Sequence, residues 1–545
     1  MEGPVIASTR SSAATSAERA GLDRTVFFTS ISLVLAVVVW GLVAPESLQS
    51  SADVAFSFVT GPLGWMFSLL TIAVFGFVMW IGFGPHRHIP LGKDGDKPEY
   101  STISWVGMIF ACGVGVGLLF YGPYEPLTFF MKLPPIYEAI EPQSQAAMFK
   151  AMAQTLFHWG PVAWAYYALV GAAMAYSAYR KGRTQLMSRL LEPIFGARTR
   201  GPLGAAVDVA AIIVTLFGTA ISLGIGTLQI GRGYEIVSGA PPLTNAALVV
   251  VMTFLGVGFI FSAVSGIKRG IRILSNINTG IMVAIAVAVF IFGPTLLITN
   301  LIPGGFLTFV GDLPALMAQS VASSKDAGEF MSAWTTYYWA WWVSWTPFVG
   351  MFIAKISKGR TLREFVVTVV LVPSAVCLVW FTVLGGTAMR MEQNGAHIDA
   401  AGSPQNVLFA VLDALPGGRL WAAAALGTIV VLFVTGADSA SLVMGTLAER
   451  GRAVPSKWLT ILFGAGLTAV AAVLLVVGGN AALNEMQQLM IVASVPFALV
   501  VVLVMVAWGK ELNEDPLSLR ASTRKALAAA KEENAASSAE TEPSA

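Results

Sequence analysis

The chain is poor in charged residues. Only 12% of its 545 residues are Asp, Glu, Lys or Arg, and 56% are hydrophobic, whereas roughly 25% of the residues in an ordinary soluble protein are charged. A soluble protein of this length would divide into several domains with charged surfaces. Instead, apolar runs of about 20 residues recur along the chain, each long enough to cross a hydrocarbon core of roughly 30 Å. The composition therefore predicts an all-α polytopic membrane protein.

Cysteine and histidine are also scarce. The two cysteines, Cys112 and Cys377, lie inside apolar runs, which argues against a disulfide scaffold and a cysteine-based metal site. No P-loop, Rossmann fingerprint, HExxH motif or Ser/His/Asp set is visible, so neither a nucleotide-driven pump nor an embedded enzyme is expected. We expect no cofactor, no nucleic-acid partner and no cleavable signal peptide, because the first apolar run is too long for one.

Positive charge is distributed unevenly between the loops that join twelve predicted spans. The spans start near residues 25, 61, 104, 154, 206, 246, 278, 333, 364, 420, 457 and 486. Sorting the 33 Lys and Arg residues into alternate loops places 27 on the side that holds both termini and six on the other. Because cytoplasmic loops carry the excess of positive charge, we predict a multi-pass protein of the inner (plasma) membrane with both termini in the cytoplasm.

Two segments outside the spans are long enough to hold structure of their own. Residues 305–324 have the pattern of an amphipathic helix on the outer face, and the loop at 124–153 is acidic and rich in proline. The tail from residue 509 is polar, with a short helical pattern around 520–533. Such a tail is more often merely solvated, and a basic helix that binds anionic membrane lipid is the alternative.

Three glycines interrupt the third span at alternate positions, Gly113, Gly115 and Gly117. Each glycine weakens a helix by up to about 1 kcal/mol relative to alanine. Irregular backbone within a membrane is tolerated only where protein or a water-filled site surrounds it. The spacing favours a broken helix whose free carbonyl groups face a cation or a substrate. Close helix packing through small residues is the alternative.

The eighth span is unusually rich in aromatic residues. Five of the fifteen tryptophans lie between Trp334 and Trp345, more than an interfacial belt requires. Tyr338, Trp341, Trp342 and Trp345 follow the i, i+3, i+4, i+7 spacing and share one helical face. Aromatic faces suit a quaternary ammonium group, which cannot donate strong hydrogen bonds, and each desolvated ring contributes roughly 0.5–2 kcal/mol.

The fourth span carries a second aromatic group. Trp164 and Tyr167 share a helical face, and a kink at Pro161 can bring Trp159 beside them. Taken alone, this group is more typical of packing beside a proline kink. We predict that His158 is a packed or hydrogen-bonded histidine and not a ligand.

Four segments together resemble the betaine/carnitine/choline transporter family. They are GMIFACGVGVGLLFYGPYEPLTFF at 107–130, LFHWGPVAWAYY at 156–167, WTTYYWAWWVSWTPFVGMFIAKISKGRTLREF at 334–365, and FVTGADSASLVMG at 433–445. The resemblance extends from about residue 25 to 510, and the tryptophan-rich segment is its most distinctive part.

The resemblance implies twelve transmembrane helices, with a LeuT-type inverted five-helix repeat formed by spans 3–7 and 8–12. It also implies a homotrimer that works by alternating access. The expected units are a cytoplasmic tail (1–24), two peripheral helices (25–100), the first repeat (101–300), an outer amphipathic helix (301–330), the second repeat (331–508) and a cytoplasmic tail (509–545).

The family's substrate ammonium group lies in an aromatic box. By motif match, the box or its access route is lined by Trp159, Trp164, Tyr167, Trp341, Trp342 and Trp345, with Trp342 ranked first. The substrate carboxylate is expected near the glycine backbone of residues 113–117. Proton-linked choline carriers of the family have an aspartate where this chain has Gly117, which favours a zwitterion such as glycine betaine over choline.

Sodium as the coupling ion is implied by two further sets of residues. The first resembles Thr215 and Thr219 together with Phe348, where two hydroxyl groups one turn apart and a ring face would bind the ion. Threonine hydroxyl groups bonded to their own helix are the alternative. No basic side chain lies in 209–230, and sodium-independent exchangers of the family have one there.

The second set combines backbone oxygens near Ala111 and Val114 with Leu432 and Thr435. Gly436 stands where the family has a serine, so one oxygen ligand is lost and either sodium binds more weakly or a water replaces it. Sodium symport is nevertheless the expectation.

We therefore predict a secondary transporter, not an enzyme, that imports a small onium or zwitterionic solute of the betaine type by sodium symport. A proton-coupled or sodium-independent carrier of choline or carnitine is the alternative. Asp438 is an acid inside span 10, which favours either a proton relay or, as we expect, an acceptor of hydrogen bonds from Ser439, Ser441 or a facing helix.

Overall fold

The computed structural model describes residues 21–113, 115–265, 268–398, 403–478 and 482–519. Over these residues the regular structure is helical, apart from one isolated β-bridge between Pro90 and Thr361. The first twenty residues of the predicted N-terminal tail and the predicted helical stretch at 520–533 lie outside the described residues.

Nineteen α-helices follow one another along the described chain. The first twelve are α1 (Arg24–Val43), α2 (Pro45–Thr60), α3 (Gly64–Phe83), α4 (Thr102–Gly113), α5 (Val116–Met131), α6 (Gln145–Trp159), α7 (Pro161–Ala175), α8 (Glu192–Phe195), α9 (Pro202–Ser238), α10 (Asn245–Ser265), α11 (Lys268–Phe292) and α12 (Thr295–Met317). The remaining seven are α13 (Lys325–Phe330), α14 (Thr336–Ile356), α15 (Leu362–Gln393), α16 (Asn406–Asp413), α17 (Gly418–Ala448), α18 (Lys457–Gly478) and α19 (Ala482–Asn513).

Ten of the described helices are long and apolar enough to cross a membrane. Nine of them coincide with predicted spans, and the tenth is α12. The other three predicted spans are α4–α5, α6–α7 and α14: two of these are broken into short pieces, and α14 is rich in tryptophan, tyrosine and threonine. The all-α polytopic architecture is confirmed, and the count of twelve spans stays a prediction.

Two of the predicted spans are broken inside the bundle. Between α4 and α5 the chain runs through Gly115, whose backbone is extended at φ −111° and ψ −178°. Between α6 and α7, Gly160 is extended and Pro161 occupies the first position of the next helix, where its missing N–H has no helical partner to lose. The predicted break of the third span is confirmed, and the kink predicted at Pro161 is a complete interruption.

The packing of the helices has the symmetry of an inverted repeat. Spans 3–7 correspond in order to spans 8–12, so α5 pairs with α14, α7 with α15, α9 with α17, α10 with α18 and α11 with α19. The contact of α5 with α15 recurs as that of α14 with α7, and the contact of α19 with α9 recurs as that of α11 with α17. Two helices that correspond to each other also pack directly together in two cases: α9 packs against α17, and α10 packs against α18. Because each half has five predicted spans, the two halves are predicted to run in opposite directions.

Loops that were assigned to one side by their charge meet in the structure. The Leu91 N–H donates to the Arg360 carbonyl oxygen at 2.7 Å, and the Asp23 N–H donates to the Ala448 carbonyl oxygen at 2.9 Å. These pairs join four segments that lie far apart in sequence. We refer to the side that carries these loops as the basic face and to the other as the opposite face.

The beginning of the C-terminal tail is held against the basic face. Arg180 donates to both oxygens of Asp515, at 2.5 and 2.8 Å, and the Tyr176 hydroxyl donates to the same carboxylate at 2.8 Å. Burial raises the pKa of Asp515, but hydrogen bonds from Arg180, the Leu517 N–H and Tyr176 outweigh it and hold the pKa below its ordinary value. The end of span 4 and the start of the tail are therefore joined.

On the opposite face, α12 begins at Thr295, ten residues before the start predicted from the 305–324 pattern. Asp312 ties it to the first repeat, because it accepts from Lys150 Nζ at 2.7 Å and from the Tyr137 hydroxyl at 2.9 Å. The long helix α9 is largely buried, whereas α10 exposes apolar side chains such as Phe254 and Phe261, as a helix facing lipid does.

Candidate functional site

Three aromatic rings of α14 are stacked along one face of the helix. The rings of Trp341 and Trp342 are nearly parallel, with centroids 5.5 Å apart and an angle of 4°. The Tyr338 ring lies 6.2 and 6.1 Å from them and is also nearly parallel. Three of the four residues predicted from the helical spacing therefore form one stack.

Trp159 closes this stack from the first repeat. It is the last residue of α6, and the break at Gly160 turns its ring toward α14. Its centroid lies 5.1 Å from that of Trp342 at 79° and 5.9 Å from that of Trp341 at 81°. We call Trp159, Tyr338, Trp341 and Trp342 the ring cluster; each is 7% exposed or less.

The other predicted aromatic residues lie around the ring cluster. Tyr167 contacts Trp342 edge-on at 6.0 Å, and Trp345 contacts Trp341 edge-on at 6.3 Å. Trp164 joins through Tyr167, at 5.4 Å, so it lies at the margin. The structure brings all six predicted aromatic residues into one connected group, with Tyr338 at its centre.

The glycines of the third span allow the rings to approach the backbone. A Cβ atom at Gly117 would lie 2.6 Å from the Trp341 ring, and one at Gly115 would lie 3.0 Å from the Trp345 ring. Both positions therefore need glycine for close packing, in addition to the break that they cause. Gly113 is the last residue of α4. The predicted exposure of their carbonyl groups to a substrate stays a prediction.

Hydrogen bonds fix the orientation of two of the indole rings of α14. Trp342 Nε1 donates to the His158 carbonyl oxygen at 2.9 Å, in the turn of backbone that the break of span 4 leaves beside α14. Trp345 Nε1 donates to the Gly218 carbonyl oxygen at 3.1 Å. Within the described part of the chain, the buried Trp341 Nε1 has no hydrogen-bond partner.

A glutamate that the sequence interpretation missed lies directly behind the ring cluster. Glu125 of α5 is fully buried; it accepts a hydrogen bond from Trp159 Nε1 at 2.7 Å and is hydrogen-bonded to His158 Nδ1 at 2.7 Å. The Tyr338 hydroxyl donates to the same carboxylate. An acid within a predicted span is itself a signal of function, and the motif GPYEP contained it.

The predicted hydrogen bonding of His158 is confirmed. Besides Glu125, its ring bonds through Nε2 to Gln154 at 3.0 Å and to the Thr335 hydroxyl at 3.1 Å. It is therefore part of a hydrogen-bonded network that holds α5, α6 and the turn before α14 together.

A cavity of about 340 Å³ opens above the ring cluster, on the face opposite the basic loops. Tyr121 separates the cavity from the cluster. Its ring centroid lies 5.7 Å from that of Trp159, and its hydroxyl is hydrogen-bonded to two residues that line the cavity. These are the Tyr337 hydroxyl, 3.1 Å away, and the Gln487 amide, which donates to Tyr121 at 3.2 Å. The ring cluster thus lies one side chain away from this cavity.

The two threonines of α9 lie where α9 packs against α14. Thr215 and Thr219 are both buried, and Gly218 between them bonds to Trp345, whose ring contacts Phe348 at 5.7 Å. Within the described residues the Thr215 hydroxyl has no hydrogen-bond partner. The alternative in which it bonds to its own helix is therefore wrong for Thr215.

The structure describes only part of the second set of predicted sodium ligands. The Thr435 hydroxyl donates to the Val431 carbonyl oxygen at 2.9 Å and, more weakly, to that of Leu432 at 3.4 Å. Ala111 lies in α4, and Val114 lies outside the described residues. This set stays a prediction.

Asp438 does not make the contact expected of it. The Ser441 hydroxyl donates to the backbone carbonyl of Asp438 at 2.8 Å, not to its carboxylate. Asp438 Oδ1 is buried without a partner among the described residues. The predicted bond from Ser441 to this side chain is therefore wrong.

Comparison with known proteins agrees with this arrangement. The sequence model of the betaine/carnitine/choline family of transporters matches residues 25–517. The betaine/ectoine transporter LcoP of Corynebacterium glutamicum is 41% identical over 93% of this chain and 80% of its own length. The glycine betaine transporter OpuD of Bacillus subtilis is 37% identical over 90% of this chain and 94% of its own length.

Among solved structures, a substrate-bound, outward-open Na⁺-coupled sialic acid symporter covers 83% of this chain and 86% of its own chain, with a TM-score of 0.45 and 11% identity. At that level of similarity it bears on neither substrate nor mechanism. The match over nearly the whole chain, together with relatives well above 30% identity, decides the family. This chain belongs to the betaine/carnitine/choline family of transporters and is a transporter, not an enzyme.

Proposed function

We propose that this protein is a secondary transporter that imports a quaternary-ammonium solute of the betaine type by sodium symport, with alternating access. The observation that carries the substrate class is the ring cluster of Trp159, Tyr338, Trp341 and Trp342, buried one side chain away from a cavity on the opposite face. A trimethylammonium group has no N–H to donate, so aromatic faces bind it through their negative electrostatic potential.

Access from the opposite face has a structural basis in the cavity above Tyr121. A solute entering there has to displace the Tyr121 ring before it meets Trp159 and Trp341. The chain is interrupted at Gly115 and at Gly160, and broken helices are the elements that transporters of this architecture use to bind solutes and ions.

Sodium coupling is supported by Thr215. A buried hydroxyl group without a partner costs about 1–3 kcal/mol, and a bound cation would offset this cost. Thr219 lies one turn along α9, and Phe348 lies across the helix contact. We therefore propose that sodium binds there, with Thr215 and Thr219 as oxygen ligands.

We further infer that the basic face is cytoplasmic in the plasma membrane, since that is the side on which positive loops are retained. We also propose that the protein assembles as a homotrimer, as the family resemblance implies. Apolar side chains exposed on α10 and α11 are available to lipid or to neighbouring subunits.

Ectoine is a second candidate substrate, because the 41% identical relative is named a betaine/ectoine transporter. Ectoine is a cyclic zwitterion whose positive charge is delocalised and carries N–H donors. It would therefore use hydrogen-bond acceptors as well as rings.

The decisive experiment is uptake of labelled glycine betaine into proteoliposomes, measured with an inward sodium gradient, with a proton gradient alone and with neither. Sodium-driven accumulation supports the proposal. Accumulation driven only by protons overturns sodium coupling and favours the alternative, a proton-coupled carrier of choline or carnitine. Absence of betaine uptake, with labelled ectoine accumulating under the same gradient, moves the substrate class to ectoine.

Replacement of Trp342 tests the ring cluster itself. We expect Trp342→Leu to raise the KM for glycine betaine about tenfold, because one desolvated ring contributes of order 1–2 kcal/mol to cation binding. Trp339→Leu is the matched control, since Trp339 is equally buried on α14 but packs against Phe157 at 5.1 Å. An unchanged KM in Trp342→Leu would remove this ring from the binding site.

A further inference from the structure

Glu125 is a buried acid inside the membrane-spanning bundle with three polar partners on two other helices. Trp159 Nε1 can only donate, the Tyr338 hydroxyl donates to the same oxygen, and His158 Nδ1 lies 2.7 Å from the other oxygen. Hydrogen bonds donated to a carboxyl group favour its ionised form. The carboxyl group of Glu125 is therefore joined to polar groups of both α6 and α14.

His158 is the basic side chain beside Glu125. Its Nδ1 lies 2.7 Å from the carboxyl group, and its Nε2 lies 3.0 Å from the Gln154 amide and 3.1 Å from the Thr335 hydroxyl. Among the described residues, His158 is the one basic side chain within ion-pair distance of Glu125. The carboxyl group behind the ring cluster is thus part of a hydrogen-bonded network.

Two of the cluster's rings share this carboxylate. Trp159 and Tyr338 both donate to its Oε2 atom, one from the first repeat and the other from the second. Their ring centroids are 5.5 Å apart at an angle of 69°. The carboxylate therefore sets the position of one ring relative to the other across the boundary between the repeats.

The same hydrogen bonds act on the electrons of the rings. A charge-assisted hydrogen bond from an indole N–H or a phenol O–H draws the proton toward the acceptor and leaves more electron density in the ring. Cation binding by an aromatic face grows with that density. Glu125 is in this way placed to strengthen both rings without touching the ligand.

We propose that Glu125 is the positioning residue of the onium site and supplies a buried negative charge that attracts the cationic head of the ligand. It orients Trp159 and Tyr338, and its negative charge selects ligands that carry a cationic head over ligands of the same shape whose head is uncharged. The inference rests on the proposed function, since it assumes that the ring cluster binds the solute.

The test uses two ligands of one shape, glycine betaine and 3,3-dimethylbutanoate, in which carbon replaces the quaternary nitrogen. Their affinities for the purified full-length protein are compared by tryptophan fluorescence and by competition with labelled glycine betaine in proteoliposomes. Glu125→Gln keeps the size of the side chain and removes its charge. We expect it to weaken glycine betaine binding about tenfold and leave the carbon analogue nearly unchanged, because a charge acts on the cationic head.

Tyr338→Phe keeps the ring and the charge but removes one hydrogen bond to Glu125. We expect it to raise the KM for glycine betaine about threefold with kcat unchanged, as for the loss of one charge-assisted hydrogen bond that is partly replaced. Tyr166→Phe is the matched control, because that buried tyrosine bonds to Thr71 at 2.6 Å and not to Glu125. The pair decides the positioning role even if Glu125→Gln does not fold.

The outcomes separate the two levels of inference. A wild-type protein that binds glycine betaine no better than its carbon analogue overturns the proposed function and this inference with it. Wild-type preference that survives unchanged in Glu125→Gln, or equal loss of both ligands in that variant, overturns the counter-charge and leaves the proposed function standing. A Tyr338→Phe variant that behaves like Tyr166→Phe overturns the positioning role.

Discussion

Thr215 and Thr435 occupy corresponding helices of the two repeats, α9 and α17, yet their hydroxyl groups are in different states. The Thr215 hydroxyl is buried and has no hydrogen-bond partner among the described residues, whereas the Thr435 hydroxyl donates to the Val431 carbonyl oxygen at 2.9 Å. Thr227, on the same helix as Thr215, also bonds to its own backbone, at 2.8 Å. The Thr215 hydroxyl thus differs from both, and the buried hydroxyl groups of Thr336, Thr382 and Thr428 likewise have no partner among the described residues.

The surroundings of the two threonines differ as well. Beside Thr215, α14 packs closely, and Trp345 bonds to the Gly218 carbonyl oxygen at 3.1 Å. Beside Thr435, a Cβ atom added at Gly436 would have no other atom within 4 Å. The comparison teaches that equal residue types in symmetric helices do not make equal sites. Packing decides which hydroxyl group is left available to a cation.

Thr215→Val is expected to have the largest effect on this comparison. It removes the available hydroxyl and keeps the shape, so the sodium concentration for half-maximal uptake should rise about tenfold or more, as losses around bound metal ions do. Thr227→Val is the control, because its hydroxyl is already bonded within α9. An unaltered sodium curve in Thr215→Val would make the Thr215/Thr219 pair structural.

Gly436→Ser should strengthen sodium binding at the second predicted site, near Thr435. The open space beside Gly436 accepts a side chain, and the new hydroxyl restores the oxygen that the family pattern has there. We expect the sodium requirement to fall about threefold, by about 0.7 kcal/mol of added binding free energy. Gly436→Ala adds the carbon without the oxygen and should leave sodium dependence unchanged. Equal behaviour of the two variants would remove this position from any sodium site.

Thr435→Val should have the smallest effect. Its hydroxyl is satisfied by its own helix, and removing a self-bonded hydroxyl group typically changes little beyond about 1 kcal/mol of stability. We expect sodium dependence of betaine uptake within about twofold of the wild type. A loss as large as that of Thr215→Val would show that the two repeats contribute equally, and would reverse the comparison.

The sequence was informative about the ring cluster because tryptophan is rare and helical spacing is periodic. Trp341, Trp342 and Trp345 could be placed on one face of α14, and the structure confirms that they join Trp159 and Tyr167. The position of Trp164 at the margin could not be foreseen. It depends on where the break at Gly160 directs the two halves of span 4.

Glu125 shows the limit of the same reasoning. Its chain neighbours suggested no partner, and its three hydrogen-bond partners come from positions 33, 34 and 213 residues away in sequence. Contacts of that kind leave no periodic pattern in a single sequence. The unsatisfied hydroxyl of Thr215 is similar, because a missing hydrogen bond is a property of the packed helices around it.

The sequence by itself determined the membrane architecture, the alternation of basic loops, the breaks at glycine and proline, and the aromatic face of α14. These features follow from local chemistry: apolar length, charge retention, helix propensity and a period of 3.6 residues. Only the tertiary structure decided which rings meet, which carboxylate lies behind them and which hydroxyl group stays free. Those outcomes depend on how helices from the two repeats pack against each other, since a buried polar group takes whatever partner the neighbouring helix presents.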